Sequence, residues 1–148
     1  MTDVEKAERY VAHLEALAKR EDRASLARLR RASGKPPGTV PEALPLIVPF
    51  LPGDQHEHWA YFVLGPLFAM HPESAHEGNM GTTYRGFGDH ESASKRFVAL
   101  LNCHEDELAT HLRQAISLAK SKQIPVNYRQ LLKDIINCTQ PNRVVQHR

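Results

Sequence analysis

Residues 59–70 read WAYFVLGPLFAM, an apolar run interrupted only by Gly65 and Pro66. A helix that spans a bilayer needs about 20 such residues, so this run is too short to cross a membrane. It reads instead as a helix that is apolar on nearly all sides and lies at the centre of a globular fold. Gly65-Pro66 should bend it, because proline has no amide hydrogen for the carbonyl four residues earlier, and a freed carbonyl must find another donor. A chain of 148 residues with 41% hydrophobic content can bury one such core without staples.

Outward from this run, the apolar spacing is helical almost throughout. Tyr10, Val11, Leu14 and Leu17 recur at three- and four-residue steps and mark one face of a first helix. Asp22 is placed to cap a second helix beginning at Arg23, and Gly34 with Pro36, Pro37 and Gly38 must end it. Residues 34–55 hold six prolines, which reads as a long, stiff, wrapping connection with a short buried turn around LIVPFL. Residues 71–92, HPESAHEGNMGTTYRGFGDHES, carry too many glycines and polar residues for a regular element and read as a surface loop. Helices return from Ser92, with Phe97, Val98, Leu100 and Leu101 as a core face. In the next, Leu108, Leu112, Ala115, Ile116 and Ala119 form a stripe behind an acidic start at 105–107. Pro125 is expected to open a last helix that buries Tyr128, Leu131, Leu132, Ile135 and Ile136.

No alternating pattern of useful length occurs. The expected fold is all-α, a compact bundle of about six to eight helices, in one body or two small lobes. Residues 1–148 are read as a single domain, with an N-terminal half to about residue 70, a loop over about 71–92 and a helical C-terminal half from 92.

The net charge of +2 conceals a strong asymmetry. Residues 1–38 hold nine Lys/Arg against six Asp/Glu, residues 39–91 one against seven, and residues 92–148 nine against four. Two basic ends around an acidic middle suggest a polyanionic partner. The stretch RASLARLRRASGKPPG, residues 23–38, has five cations and no acid. At 100° per residue, Arg23, Arg30 and Arg31 fall within an arc of roughly 100°, with Leu26 and Leu29 to one side. Arg113 and Lys120, seven apart, share the polar face of their helix, and Arg129 points outward from the last one.

Other chemistries are poorly supported. Nine histidines include His56 and His58 of HEH and the pair His104 and His111, but no HExxH occurs, and Cys103 and Cys138 each lack a second cysteine at zinc-ligand spacing. Neither metal nor cofactor is expected. The acids of the middle segment are scattered, where a nuclease clusters carboxylates around metal ions. GKPPG places prolines where a phosphate-cradling loop needs backbone amides. Neither cysteine has a nucleophile's surroundings beyond His104 beside Cys103, so both are read as reduced thiols of a soluble, cytoplasmic protein without a secretory leader. The glycines around Arg85 could form an anion nest.

In order and spacing, LRRASGKPPG (29–38), LFAMHP (67–72), NMGTTYRGFG (79–88) and KRFVALLNCHEDELATHLRQAISLAKSKQIPVNYRQLLKDI (95–135) resemble the CasB family, the small subunit of the type I-E CRISPR Cascade complex. The resemblance spans about residues 23–136. Where the family continues into a basic, tryptophan-containing helix, residues 137–148 read NCTQPNRVVQHR.

The resemblance implies an all-helical, noncatalytic protein. Such a subunit occurs as a pair within the complex, beside other Cascade subunits, and holds guide RNA, target DNA and the displaced non-target strand of the R-loop. It implies nucleic-acid contacts at Arg30, Arg31, Arg85, Arg96 and Arg113. Helix geometry and charge add Arg23, Lys35, Lys95, Lys120 and Arg129. With aromatics at only 7% and Trp59, Phe62, Phe68 and Phe97 in core-like patterns, the grip is expected on the strand backbone, without base preference. The competing reading is a helical adaptor whose arginine faces meet acidic proteins.

Overall fold

The computed structural model describes residues 3–36, 38–75 and 105–139. Among them lie six α-helices: α1 Asp3–Lys19, α2 Arg23–Arg31, α3 Leu44–Ile47, α4 His58–Met70, α5 Glu105–Ser121 and α6 Tyr128–Thr139. Single 3-10 turns at Pro41–Ala43, Val48–Phe50 and Gln55–Glu57 carry the proline-rich connection from α2 to α4. The expected all-α architecture is the one observed. No helix among the described residues is long and apolar enough to cross a membrane.

Helix α4 is the axis of the fold, and α2, α5 and α6 pack against it while α1 lies across α2 and α6. Its Ala60, Tyr61 and every residue from Leu64 to Ala69 are buried. Full burial of a leucine such as Leu64 or Leu67 contributes roughly 2 kcal/mol through the hydrophobic effect.

The helix runs on through Pro66, and Gly65 is where its neighbours come closest. A Cβ at Gly65 would lie 2.6 Å from Tyr10 Oη and 3.2 Å from a Leu29 methyl, so α1 and α2 both approach over a position that tolerates no side chain. The Tyr10 hydroxyl donates to the Tyr61 carbonyl at 2.8 Å, and the two tyrosine rings stack at 4.9 Å. The carbonyl that gains an outside donor is thus Tyr61's, one residue before the one Pro66 leaves without its helical amide. Burial pushes the Tyr10 phenol pKa up, so the group stays a neutral donor.

Two helix ends follow the sequence and one departs from it. Asp22 caps α2, its carboxylate accepting from the Ser25 amide at 3.1 Å and the Ser25 hydroxyl at 2.9 Å. The hydrophobic stripe of α5 is buried as expected at Leu108, Leu112, Ala115, Ile116 and Ala119. Helix α6, however, begins at Tyr128 and not at Pro125. The backbone of Val126 is engaged elsewhere: its amide donates to Glu73 (3.0 Å) and its carbonyl accepts from Ala75 (2.8 Å), in an isolated parallel bridge between Ser74 and Val126. The Asn127 side chain then accepts from the Gln130 amide at 3.2 Å and supplies the cap.

The segment after α4 is pinned from the same side. His71 is buried, its Nε2 is 2.6 Å from the Ile124 carbonyl, and the Tyr128 hydroxyl donates to the His71 carbonyl. The polar links from His71 and Glu73 therefore hold the end of α4 to the α5–α6 connection.

Candidate nucleic-acid interface

The basic residues of α2 stand where the sequence placed them. Leu26 and Leu29 are buried, while Arg23, Arg30 and Arg31 are exposed. Arg28, Arg30 and Arg31 occupy the last turn, where positive charge complements the helix dipole. Arg30 is also structural, because its Nη1 donates to the Ala69 carbonyl at 3.3 Å, at the C-terminal end of α4. Beside it, the Ser33 hydroxyl donates to the Met70 sulfur at 3.4 Å.

Beyond α2 the chain turns at Gly34, whose φ of +78° lies in the left-handed region that favours glycine. Arg113 of α5 lies against this turn. A Cβ on Gly34 would meet Arg113 Cζ, Nη1 and Nε at 3.7, 3.8 and 3.9 Å, three near-equal distances that place the guanidinium group across the glycine. Arg113 Nη2 also donates to the Thr110 hydroxyl at 3.4 Å. Both of these neighbours are uncharged groups.

Arg113 borders two depressions. One is a cleft of about 320 Å³ between the turn after α2, the outer side of α4 and the first turns of α5; its walls include Lys35, Trp59, Phe62, Pro66, Thr110 and Arg113. The other is a shallow groove of about 580 Å³ along α5, past Gln114 and Ser117 to Ser121. Lys120, exposed, sits next to its far end, seven residues and roughly 10 Å along the axis from Arg113. Among the described residues, neither depression is lined by a carboxylate. Cations and hydroxyls on such a surface can bind an anionic backbone, and guanidinium can grip phosphate oxygens bidentately.

The structure thus brings Lys35 and Arg113 to one cleft, with Arg30 at the neighbouring end of α4. Arg23 stands at the opposite end of α2, about 10 Å along the helix from Arg30. Arg129 extends from α6 toward Glu15 of α1, at 3.8 Å. Both side chains are partly solvated, so this pair contributes little to stability, roughly 0–1 kcal/mol. Arg85, Lys95 and Arg96 lie outside the described residues, as do His104 and Cys103. No group of three His, Cys, Asp or Glu side chains placed to hold a metal occurs among the described residues; His58 has its Nε2 2.7 Å from the Pro52 carbonyl.

One expectation is corrected here. Trp59 and Phe62 pack against the core without being enclosed in it as Phe68 is: both are half-buried, and both line the cleft beside Arg113. Two of the four aromatics that the sequence pattern assigned to the interior are therefore partly available at the basic surface, while Phe68 is buried as expected and Phe97 lies outside the described residues. Gly34, Thr110 and these two aromatics are the site residues that sequence reasoning missed. The glycine's isolation between an arginine stripe and a Lys-Pro-Pro was the one signal that could have pointed to it.

Comparison with known proteins gives a consistent result. Residues 25–148 match the family model of the CRISPR-associated protein Cse2. A CRISPR-associated protein Cse2 from Thermus thermophilus is 34% identical, the alignment covering 84% of this chain and 75% of that one. The crystal structure of CasB from Thermus thermophilus superposes with a TM-score of 0.76 at 29% identity, over 95% of this chain and 92% of that one. A chain of a CRISPR RNA-guided surveillance complex shares the fold at 20% identity, with a TM-score of 0.81 over 99% of this chain and 90% of its own.

Proposed function

This chain belongs to the Cse2 family of CRISPR-associated proteins, and from that premise we propose that it is a noncatalytic small subunit of a Cascade surveillance complex. In this role it grips the backbones of guide RNA, target DNA and the displaced strand, and so stabilises the R-loop. Its other partners are the neighbouring Cascade subunits and a second copy of itself. The observation that carries the reading is the convergence of Lys35 and Arg113 on one cleft that has no carboxylate among its described lining residues, with Arg30 at the neighbouring end of α4.

The energetics suit such a device. Opening a duplex onto a guide exchanges one set of base pairs for another of similar stability, so a few backbone contacts suffice to tip the balance. Each phosphate neutralised releases counterions, which makes the contribution salt-dependent and indifferent to sequence. The cleft and the groove together offer guanidinium, ammonium and hydroxyl groups, which suit holding an anionic strand.

The test is binding of the full chain to a mixed-sequence single strand over a salt series, beside a variant with Arg31, Lys35 and Arg113 changed to Ala. Arg30 is left intact because it holds the end of α4. The wild type should show a steep fall of affinity with salt, and the variant should lose about 0.7 from the logarithmic slope for each phosphate contact removed. Its thermal unfolding should stay close to that of the wild type. Equal slopes would remove these residues from the interface, and indifference to nucleic acid together with binding to an acidic protein would favour the adaptor reading.

A further inference from the structure

A surface that only gripped phosphates would need no aromatic group beside its cations. Yet the cleft at Arg113 has Trp59 and Phe62 on one wall, both half-buried, with Lys35 and Arg113 among its other lining residues. Its volume of about 320 Å³ is at the small end of ligand pockets, which run roughly 300–1,000 Å³, so it accommodates one flat ring system and not a large ligand. A planar, largely apolar group carrying anions at its edges matches both halves of this lining, which has no carboxylate among its described residues. Gly34 contributes to the fit. Any side chain there would be strained at φ +78°, and its Cβ would rest in ordinary contact with the Arg113 guanidinium that stands at the cleft.

We propose that this cleft receives one unstacked base of a single-stranded nucleic acid, stacked on Trp59, while Lys35 and Arg113 hold the phosphates on either side of it. This deepens the nucleic-acid role proposed above and rests on it. Stacking on an aromatic face tolerates any base, so the site adds affinity for unpaired strands without a sequence preference. It also discriminates against intact duplex, whose bases are unavailable to the indole.

Trp59 is the single tryptophan of the protein, so tryptophan emission reports this cleft alone. The experiment titrates the full chain, at fixed salt, with a short mixed-sequence DNA single strand and with a strand of the same length in which the bases are absent and the phosphates retained. The base-bearing strand should quench Trp59 emission and bind about tenfold more tightly than the abasic one, since stacking contributes roughly 1–3 kcal/mol per base. Trp59→Ala should lose that advantage and Trp59→Phe should keep most of it, both with an unchanged salt slope. The emission of the unmodified protein keeps the test decisive even if Trp59→Ala fails to fold. If both strands bind equally and emission is unmoved, the base site is wrong while the phosphate-gripping role stands. If neither strand binds, both readings fall.

Discussion

Helix α4 has two unlike sides. Toward α1 and α2 it presents Gly65, over which the Tyr10 hydroxyl and a Leu29 methyl close to within distances that leave no room for a methyl group. Toward α5 and the turn after α2 it presents Trp59 and Phe62, half-covered, beside a cleft bordered by Arg113. The first side is closed by direct contact, and a change there must disturb the backbone or its neighbours. The second is bordered by a glycine turn and a guanidinium, and a change there should alter what binds. One apolar sequence run thus serves as both core and candidate site, and the distinction lies in what covers each face.

The sharpest way to break this contrast is Gly65→Ala. In an exposed helix the change would stabilise by up to about 1 kcal/mol, whereas a Cβ placed 2.6 Å from Tyr10 Oη should overpack the core and cost about 2 kcal/mol or more. Thermal denaturation should show a Tm lower by about 5 °C. Tyr10→Phe in the same chain should recover part of the loss, because it removes the atom struck, so that the double variant is less unstable than the two changes summed. A Tm unchanged or raised in Gly65→Ala would mean that the two sides of α4 are equally forgiving.

A smaller effect is expected from Tyr128→Phe, where α6 closes over the C-terminal end of α4. The Tyr128 hydroxyl donates to the buried His71 carbonyl, and burial pushes the phenol pKa up, so the group is neutral at all working pH. Its removal leaves that carbonyl short of a donor and should cost about 1–2 kcal/mol in urea unfolding. Binding to a single strand should be unaffected, which sharpens the division between core and cleft.

The smallest effect lies away from both sides of α4, at the start of the arginine-bearing helix α2. Hydrogen bonds from the Ser25 amide and hydroxyl lower the Asp22 carboxyl pKa from its ordinary value near 3.8, and the group remains in contact with solvent. A carboxyl whose pKa is lower in the folded state stabilises above its unfolded pKa, and this stabilisation is lost as the pH falls through the folded value. The wild type should therefore lose a small increment of stability below about pH 4 that Asp22→Asn does not lose, as read by chemical unfolding at about pH 7 and about pH 3. Parallel losses in both proteins would show that the cap contributes nothing through its charge.

Much of this was legible in the residues. Tyr10, Val11, Leu14 and Leu17, then Leu26 and Leu29, then Leu108, Leu112 and Ile116 repeat at helical steps, and all are buried. Asp22 was readable as a cap because its side chain bonds a backbone amide three residues on, within the reach of local sequence. The start of α6 was not readable from Pro125, because the competing partners of Val126 are Glu73 and Ala75, distant in sequence. Trp59 and Phe62 were misread because a helix apolar on all sides gives no period from which to tell an inner face from an outer one.

The sequence by itself determined the helices, their buried stripes, the cap at Asp22 and the arginines gathered on α2, since each depends on spacings of four residues or fewer or on composition. Only the tertiary structure decided that Gly65 must stay bare beneath Tyr10, that Gly34 lies under Arg113, and that Trp59 stands at a basic cleft. Those relations join residues far apart in the chain, and they follow from the close packing of helices on α4, where distances of a few ångströms determine which side is filled and which is left open.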